Sequence, residues 1–169
     1  MKFKITIAIF ALLIICSTNL WAQRYSHSIS ANPIGLVFGI FNATYEQQTA
    51  PINSFTVFGN YWSVLDWSAY GFGGSYRWYP HLFEDGKKPL EGFSVGPRAD
   101  IGFWSWTGFG SYSGYGGTSI AIGGEAAYKW VFGGFVVEPI IVLEINVSKV
   151  VGYTNYNAFA GGCNLGYAW

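Results

Sequence analysis

Apolar and polar residues alternate with a period of two through most of the chain beyond residue 40, the spacing of strands whose successive side chains point to opposite faces. Between Phe55 and Tyr61, Phe55, Val57 and Tyr61 share one face while Thr56 and Asn60 share the other. Tyr70, Phe72, Tyr76 and Trp78 likewise oppose Gly71, Gly73, Ser75 and Arg77. The cleanest run sets Phe93, Val95, Pro97, Ala99, Ile101 and Phe103 against Ser94, Gly96, Arg98, Asp100 and Gly102. Ile120, Ile122, Ala126, Tyr128 and Trp130 then oppose Ala121, Gly123, Glu125, Ala127 and Lys129. A tight turn at Gly133-Gly134 leads into a strand with Phe135, Val137, Pro139, Ile141, Leu143 and Ile145 opposite Glu138, Glu144 and Asn146. The last stretch sets Phe159, Cys163, Leu165, Tyr167 and Trp169 against Ala158, Ala160, Gly162, Asn164 and Gly166. Phe41, Ala43 and Tyr45, alternating with Asn42, Thr44 and Glu46, make a seventh strand. An eighth is expected near Tyr25 to Ala31, before a bend at Asn32-Pro33; Ile34 to Ile40 are apolar on both faces and can extend either neighbouring strand.

Three of these stretches close on one pattern: Tyr76-Arg77-Trp78, Tyr128-Lys129-Trp130 and Tyr167-Ala168-Trp169. Each Tyr and Trp share a face, and amphipathic rings gather where a membrane meets water. Three strands running in one direction and ending in paired rings are the signature of one interfacial girdle of a transmembrane β-barrel, here the periplasmic one. The faces are then assigned by energy. Arg77, Arg98 and Lys129 facing lipid would cost about 2–4 kcal/mol each near the midplane, a sum comparable to the stability of a whole domain. Glu46, Arg77, Arg98, Asp100, Glu125, Lys129, Glu138 and Glu144 are therefore expected in the lumen, as an ion-pair network plugging a narrow interior rather than lining a channel. Glycine and alanine dominate the rest of that face and fit the same narrow interior. With both chain ends periplasmic, Thr49 to Asn53, Pro80 to Glu91 and Phe132 to Gly134 become periplasmic turns. Val64 to Ser68, Ser105 to Gly117 and Ser148 to Asn155 become outer loops.

The N-terminus adds export. Lys2 and Lys4 precede an uncharged run from Ile5 to Ile15, then Ser17-Thr18-Asn19 and Ala22, the layout of a secretory signal peptide over residues 1–22. Its removal from 169 residues leaves a single 147-residue domain, 23–169, with seven basic and nine acidic groups. That domain keeps one cysteine, Cys163, so no internal disulfide can staple it, and closure of a sheet within lipid supplies the stability instead. Aromatic residues make up 20% and charged residues only 11% of the chain. Glu138, Glu144 and frequent glycines interrupt every run long enough for a membrane helix. No basic run offers a nucleic-acid footprint.

The signal peptide, the alternating strands, the girdle and the aromatic last residue resemble the small OmpA/OmpX-type outer-membrane barrels. Tyr76 to Pro80, Gly92 to Pro97 and Tyr128 to Phe132 resemble the domain-of-unknown-function barrels of that group. The resemblance implies an all-β fold, an eight-stranded antiparallel up-and-down barrel inserted as a monomer in the outer membrane. It also implies that Cys163, Leu165, Tyr167 and Trp169 form the last-strand signal read by the barrel-assembly machinery.

Candidate chemistry changes this little. Some small barrels modify lipids with a Ser and a His near the outer leaflet. Beyond the signal peptide this chain has only His27 and His81, the second in an expected periplasmic turn, so no catalytic residue is assigned. Neither histidine has partners at metal-ligand spacing, so no metal and no cofactor is expected. Gly71-Phe72-Gly73-Gly74 and Gly114-Tyr115-Gly116-Gly117 lack the Lys and the helix of a phosphate loop. Gly35-Leu36-Val37-Phe38-Gly39 has helix-dimer spacing without a long apolar helix around it. Ser105 to Gly117, rich in Trp, Tyr, Ser and Gly, has the composition of an adaptable contact loop. The expected role is structural or surface-interacting. The rival is a soluble periplasmic barrel holding an apolar ligand, with its rings inward and Arg77, Arg98 and Lys129 in water.

Overall fold

The computed structural model describes residues 25–64, 66–80, 90–106, 115–148 and 157–169. The expected signal peptide, His81 and most of the connections expected at Pro80 to Glu91, Ser105 to Gly117 and Ser148 to Asn155 lie outside them. Eight strands follow in chain order: β1 (His27–Ala31), β2 (Ile40–Ala50), β3 (Asn53–Val64), β4 (Trp67–Trp78), β5 (Gly92–Trp106), β6 (Tyr115–Phe132), β7 (Phe135–Asn146) and β8 (Asn157–Ala168). Each pairs antiparallel with the next, and β1 also pairs with β8, so the sheet closes into an all-β barrel. Ile29 marks the closure, opposite Tyr45 on β2 and Tyr167 on β8.

Of the residues from Ile34 to Ile40 only Ile40 extends a strand, as the first residue of β2. Pro33 to Val37 form a short helix, α1, set between β1 and β2. Pro33 has no N–H to give to a ladder, and the Asn32 side chain accepts from Ile34 N and Gly35 N at 3.0 and 3.1 Å, capping the helix and ending β1 at Ala31. At the other end of the chain the ladder stops at Ala168. Trp169 still holds the seam, taking hydrogen bonds from Ser26 N and His27 N on its carbonyl and donating its own N–H to His27 O.

β6 and β7 are joined through Gly133-Gly134, with Phe132 opposite Phe135 and φ of +59° and +97° at the two glycines. Positive φ at both central residues is the geometry of a type I′ hairpin turn. A Cβ at Gly134 would come within 2.6 Å of the Tyr167 ring, whereas one at Gly133 would meet nothing within 4 Å. Gly134→Ala should therefore cost about 1–3 kcal/mol, read as a lower urea midpoint of the refolded barrel, and Gly133→Asn should leave that midpoint nearly unchanged.

Alternation sorts the side chains onto two faces. Tyr45, Phe55, Val57, Tyr70, Phe72, Ile122, Ile141, Leu143 and Leu165 lie exposed outside. Ser54, Thr56, Ser75, Arg77, Ser94, Glu125, Lys129, Glu138 and Asn164 are buried inside. The arrangement inverts that of a water-soluble domain, where polar groups cover the surface. At the end of the barrel that carries the Gly133-Gly134 turn, Tyr25, Val136 and Ala168 form a buried apolar cluster with Val131 packed against it. Leu90 and Tyr79 are buried as well.

Candidate functional site

Arg77 organises the interior. It sits on the inward parity of β4, and its Nε donates to Glu125 Oε1 at 2.5 Å while Nη1 donates to Glu46 Oε2 at 2.9 Å and Glu138 Oε1 at 2.6 Å. One guanidinium thus joins strands β2, β4, β6 and β7 across the lumen, using a planar fork that a lysine could not offer. Lys129 Nζ donates to Glu46 Oε2 and, at 3.1 Å, to Ser28 Oγ, and it lies 3.5 Å from Glu138 Oε2. Arg77, Lys129, Glu46 and Glu138 are each at most 1% exposed. Buried charges of this density are tolerable only when paired and hydrogen-bonded, and hydroxyls complete the set. Ser54 Oγ donates to Glu46 Oε1 and Ser75 Oγ to Glu125 Oε1, both at 2.5 Å. Thr56 and Ser75 hydroxyls share a hydrogen bond of 2.6 Å.

Tyr79, just past the end of β4, donates its hydroxyl to Glu46 Oε1 at 2.6 Å. Burial, with the Glu46 carboxylate beside it, holds the phenol above its usual range, so it stays a donor. Sequence reasoning did not pick out Tyr79, although its parity with Arg77 would have placed it inside. Ser28 and Ser54 are equally legible by parity, and Thr56 and Ser75, which the alternation places on the polar face, carry no assigned role in the sequence reading.

A second layer lies further from the Gly133-Gly134 end. Arg98 donates from Nε to Glu144 Oε1 at 2.6 Å and from Nη1 to Glu125 Oε2 at 3.1 Å. Its guanidinium lies over the Phe58 ring, 3.5 Å from the centroid, a cation–π contact. Asp100, two residues on from Arg98 on the same inward parity of β5, lies in this upper layer and lines the same cavity as Arg98 and Glu144. All eight inward charges are thus accounted for, five in the deep cluster and three above it, bridged by Arg98 and Glu125.

Above Arg98 the interior is not filled. A cavity of about 820 Å³ occupies that half of the barrel, with Arg98, Asp100 and Glu144 on its lining, amides from Asn42, Asn60 and Asn146, and the indoles of Trp62, Trp67 and Trp104. The expectation of a narrow, packed lumen thus applies to one half alone. At the cavity level the inward positions are taken by small residues such as Ala69, Gly102, Ala121 and Gly162. The backbone radius is set by strand number and stagger, so small side chains leave a void rather than a thinner barrel. The deep half instead carries Arg77, Lys129 and three glutamates, which span it.

On the outer face the three Tyr-x-Trp pairs stand at the end of the barrel carrying the Gly133-Gly134 turn. Tyr76, Trp78, Trp130 and Trp169 are exposed there, with Tyr128 and Tyr167 half-buried beside them. Tyr128 meets Trp130 at 4.6 Å between ring centroids and Tyr167 meets Trp169 at 6.5 Å. His27 stacks between Tyr45 and Trp169 and bonds the Tyr45 hydroxyl at 2.8 Å. Cys163 and Leu165 share the outward parity of Tyr167 and Trp169. Among the described residues no group of three His, Cys, Asp or Glu could hold a metal ion.

No family model matches the chain, and no curated protein matches it in sequence. Solved structures do match in fold. The N-terminal β-barrel domain of Pseudomonas aeruginosa OprF superposes with a TM-score of 0.53 at 12% identity, covering 86% of this chain and 98% of that one. Ail, the attachment invasion locus protein of Yersinia pestis, superposes with a TM-score of 0.50 at 14% identity, again over 86% and 98% of the two chains. What this chain shares with both is its architecture, a closed antiparallel barrel of eight strands.

Proposed function

We propose that this protein is an integral outer-membrane barrel with a structural or surface-interacting role and no catalytic centre. The carrying observation is the inversion of its faces, with rings and aliphatic chains exposed outside and Arg77, Lys129 and their carboxylates sealed inside. The rival soluble barrel would need the opposite arrangement. Apolar cover of this extent on an exterior surface marks contact with lipid. The fold likeness to two outer-membrane barrels supports the same placement. In this reading the chain arrives by way of a cleaved signal peptide over residues 1–22 and inserts as a monomer. The Tyr76, Trp78, Tyr128, Trp130, Tyr167 and Trp169 girdle and the short turns sit at the periplasmic interface. A lipid-modifying role finds no support from His27, which faces outward at that same end, bonded to Tyr45.

Spin labels test the placement directly. In a Cys163→Ala background refolded into phospholipid vesicles, a label at Leu143 should be readily accessible to dissolved oxygen and shielded from a water-soluble nickel chelate. A label at Ala121 should show the reverse preference. Oxygen accessibility high at Ala121 and low at Leu143 would overturn the membrane reading.

A further inference from the structure

The closure of the barrel is incomplete on one side. Ala31, the last residue of β1, pairs with Ala43 on β2 and Leu165 on β8. Beyond that level β2 runs on to Ile40 and β8 back to Asn157, yet among the described residues neither segment has a strand beside it on the β1 side. An uncovered strand edge is not viable in hydrocarbon, since each bare N–H or C=O costs several kcal/mol there. Helix α1 occupies the gap. Gly35 presses on β2, where an added Cβ would come within 2.7 Å of Ile40 O, and an added Cβ at Gly162 of β8 would meet the Asn32 amide at 2.5 Å. Asn32 N also donates to Asn42 Oδ1 at 2.8 Å, so one asparagine caps the helix and ties it to β2 while lying against β8. Among the described residues α1 makes no backbone hydrogen bond to β8.

Two further observations give this patch a use. The cavity lining includes Asn32 and Ile40 on one side of the gap and Gly161, Gly162 and Asn164 on the other, so the void reaches the gap at Asn32, the residue that caps α1. On the outside, Ile34, Leu36, Val37 and Phe38 are 55%, 52%, 82% and 67% exposed, with Phe159 of β8 also exposed. An apolar surface thus continues from the outer face onto a segment held mainly by side chains, with a cavity behind it. The cavity is amphipathic in the same sense: Arg98, Asp100 and Glu144 lie deep, while Phe58, Trp62 and Trp67 stand along its wall.

We propose that the cavity is a binding site for a single-chain zwitterionic amphiphile, a lysophospholipid, that enters sideways from the lipid through the β2–β8 gap covered by α1. The inference rests on the outer-membrane placement proposed above. A volume of about 820 Å³ lies within the range of sites for small molecules. The two carboxyls and one guanidinium at its base match the ammonium and phosphate of such a head group better than a lone anion. The acyl chain would lie against the rings and leave toward the gap.

The test uses the mature chain refolded into phosphatidylcholine vesicles carrying either brominated lysophosphatidylethanolamine or brominated palmitate, with mass spectrometry of the intact protein after release in mild detergent. One lysophospholipid per chain should be retained. Retention should fall about tenfold in Ala121→Trp and Ala69→Trp, which fill the cavity, and stay unchanged in the outward variant Leu143→Trp. Asn32→Ala, which frees α1, should speed uptake several-fold. Heat-dependent gel migration of each sample shows that the barrel is folded and inserted. A folded, inserted barrel that retains no probe, retains palmitate alone, or retains the lysophospholipid equally in the filled variants overturns this site while leaving the membrane placement intact. Uptake that Asn32→Ala leaves unaltered overturns the sideways route. Failure of the wild-type chain to insert at all overturns both readings.

Discussion

Arg77→Met should destabilise the refolded barrel by about 3–5 kcal/mol, seen as a marked fall in the urea midpoint of its heat-modifiable form. The substitution keeps much of the side-chain volume and removes the one group that binds Glu46, Glu125 and Glu138 together. Glu46 and Glu138 are then left with Lys129 as their cation and Glu125 with Arg98, in a place where water does not reach. Loss of a partner rather than loss of the pair is what makes the effect large, because the remaining charges keep their desolvation penalty. The triple variant Arg77→Met, Glu125→Gln, Glu138→Gln should therefore recover most of the lost stability, leaving Glu46 paired with Lys129. An Arg77→Met midpoint close to wild type would show that the deep cluster is hydrated rather than sealed.

The second large effect concerns the end of the chain. Tyr167→Ser together with Trp169→Ser should abolish accumulation of folded protein in the outer membrane of cells while permitting refolding in detergent micelles. The two rings lie on the outward parity of β8 and contribute nothing to the lumen, and Trp169 holds its seam to Ser26 and His27 through backbone groups that serine also has. A modest fall in the urea midpoint is expected from the lost stacking on His27. Deletion of Trp169 removes the backbone bonds too and should impair both settings. Normal folded levels in cells for the double serine variant would count against a recognition role for Cys163, Leu165, Tyr167 and Trp169.

Strand identity and face were legible because a period of two is strict: once Arg77 is assigned inward, Ser75 and Gly73 follow, and Tyr76 and Trp78 must point out. The turn at Gly133-Gly134 was legible for a similar reason, since few residue pairs accept positive φ twice. Helix α1 was not. Five residues are too few for a 3.6-residue period to declare itself, and in this apolar stretch Ile34, Leu36, Val37 and Phe38 stand exposed on the outer side while Gly35 is buried against β2. The cavity was hidden as well. Ala121, Ala69 and Gly162 read as small inward residues, and whether small residues mean close packing or empty space depends on the barrel radius, which no single strand carries. The partners within the deep cluster were beyond reach on the same ground, because Glu46 and Arg77 meet across the lumen rather than along a strand.

The sealed half of the interior has a consequence for traffic. With Arg77, Lys129 and Glu138 locked together above the apolar layer of Tyr25, Val136 and Ala168, the cylinder is a cup with a solid base and not a pipe. A solute that reaches the indoles of Trp62 and Trp104 has no onward passage toward the Gly133-Gly134 end and must leave by the half it entered. Such a vessel holds its contents or hands them back, and any current through it would require the base itself to come apart.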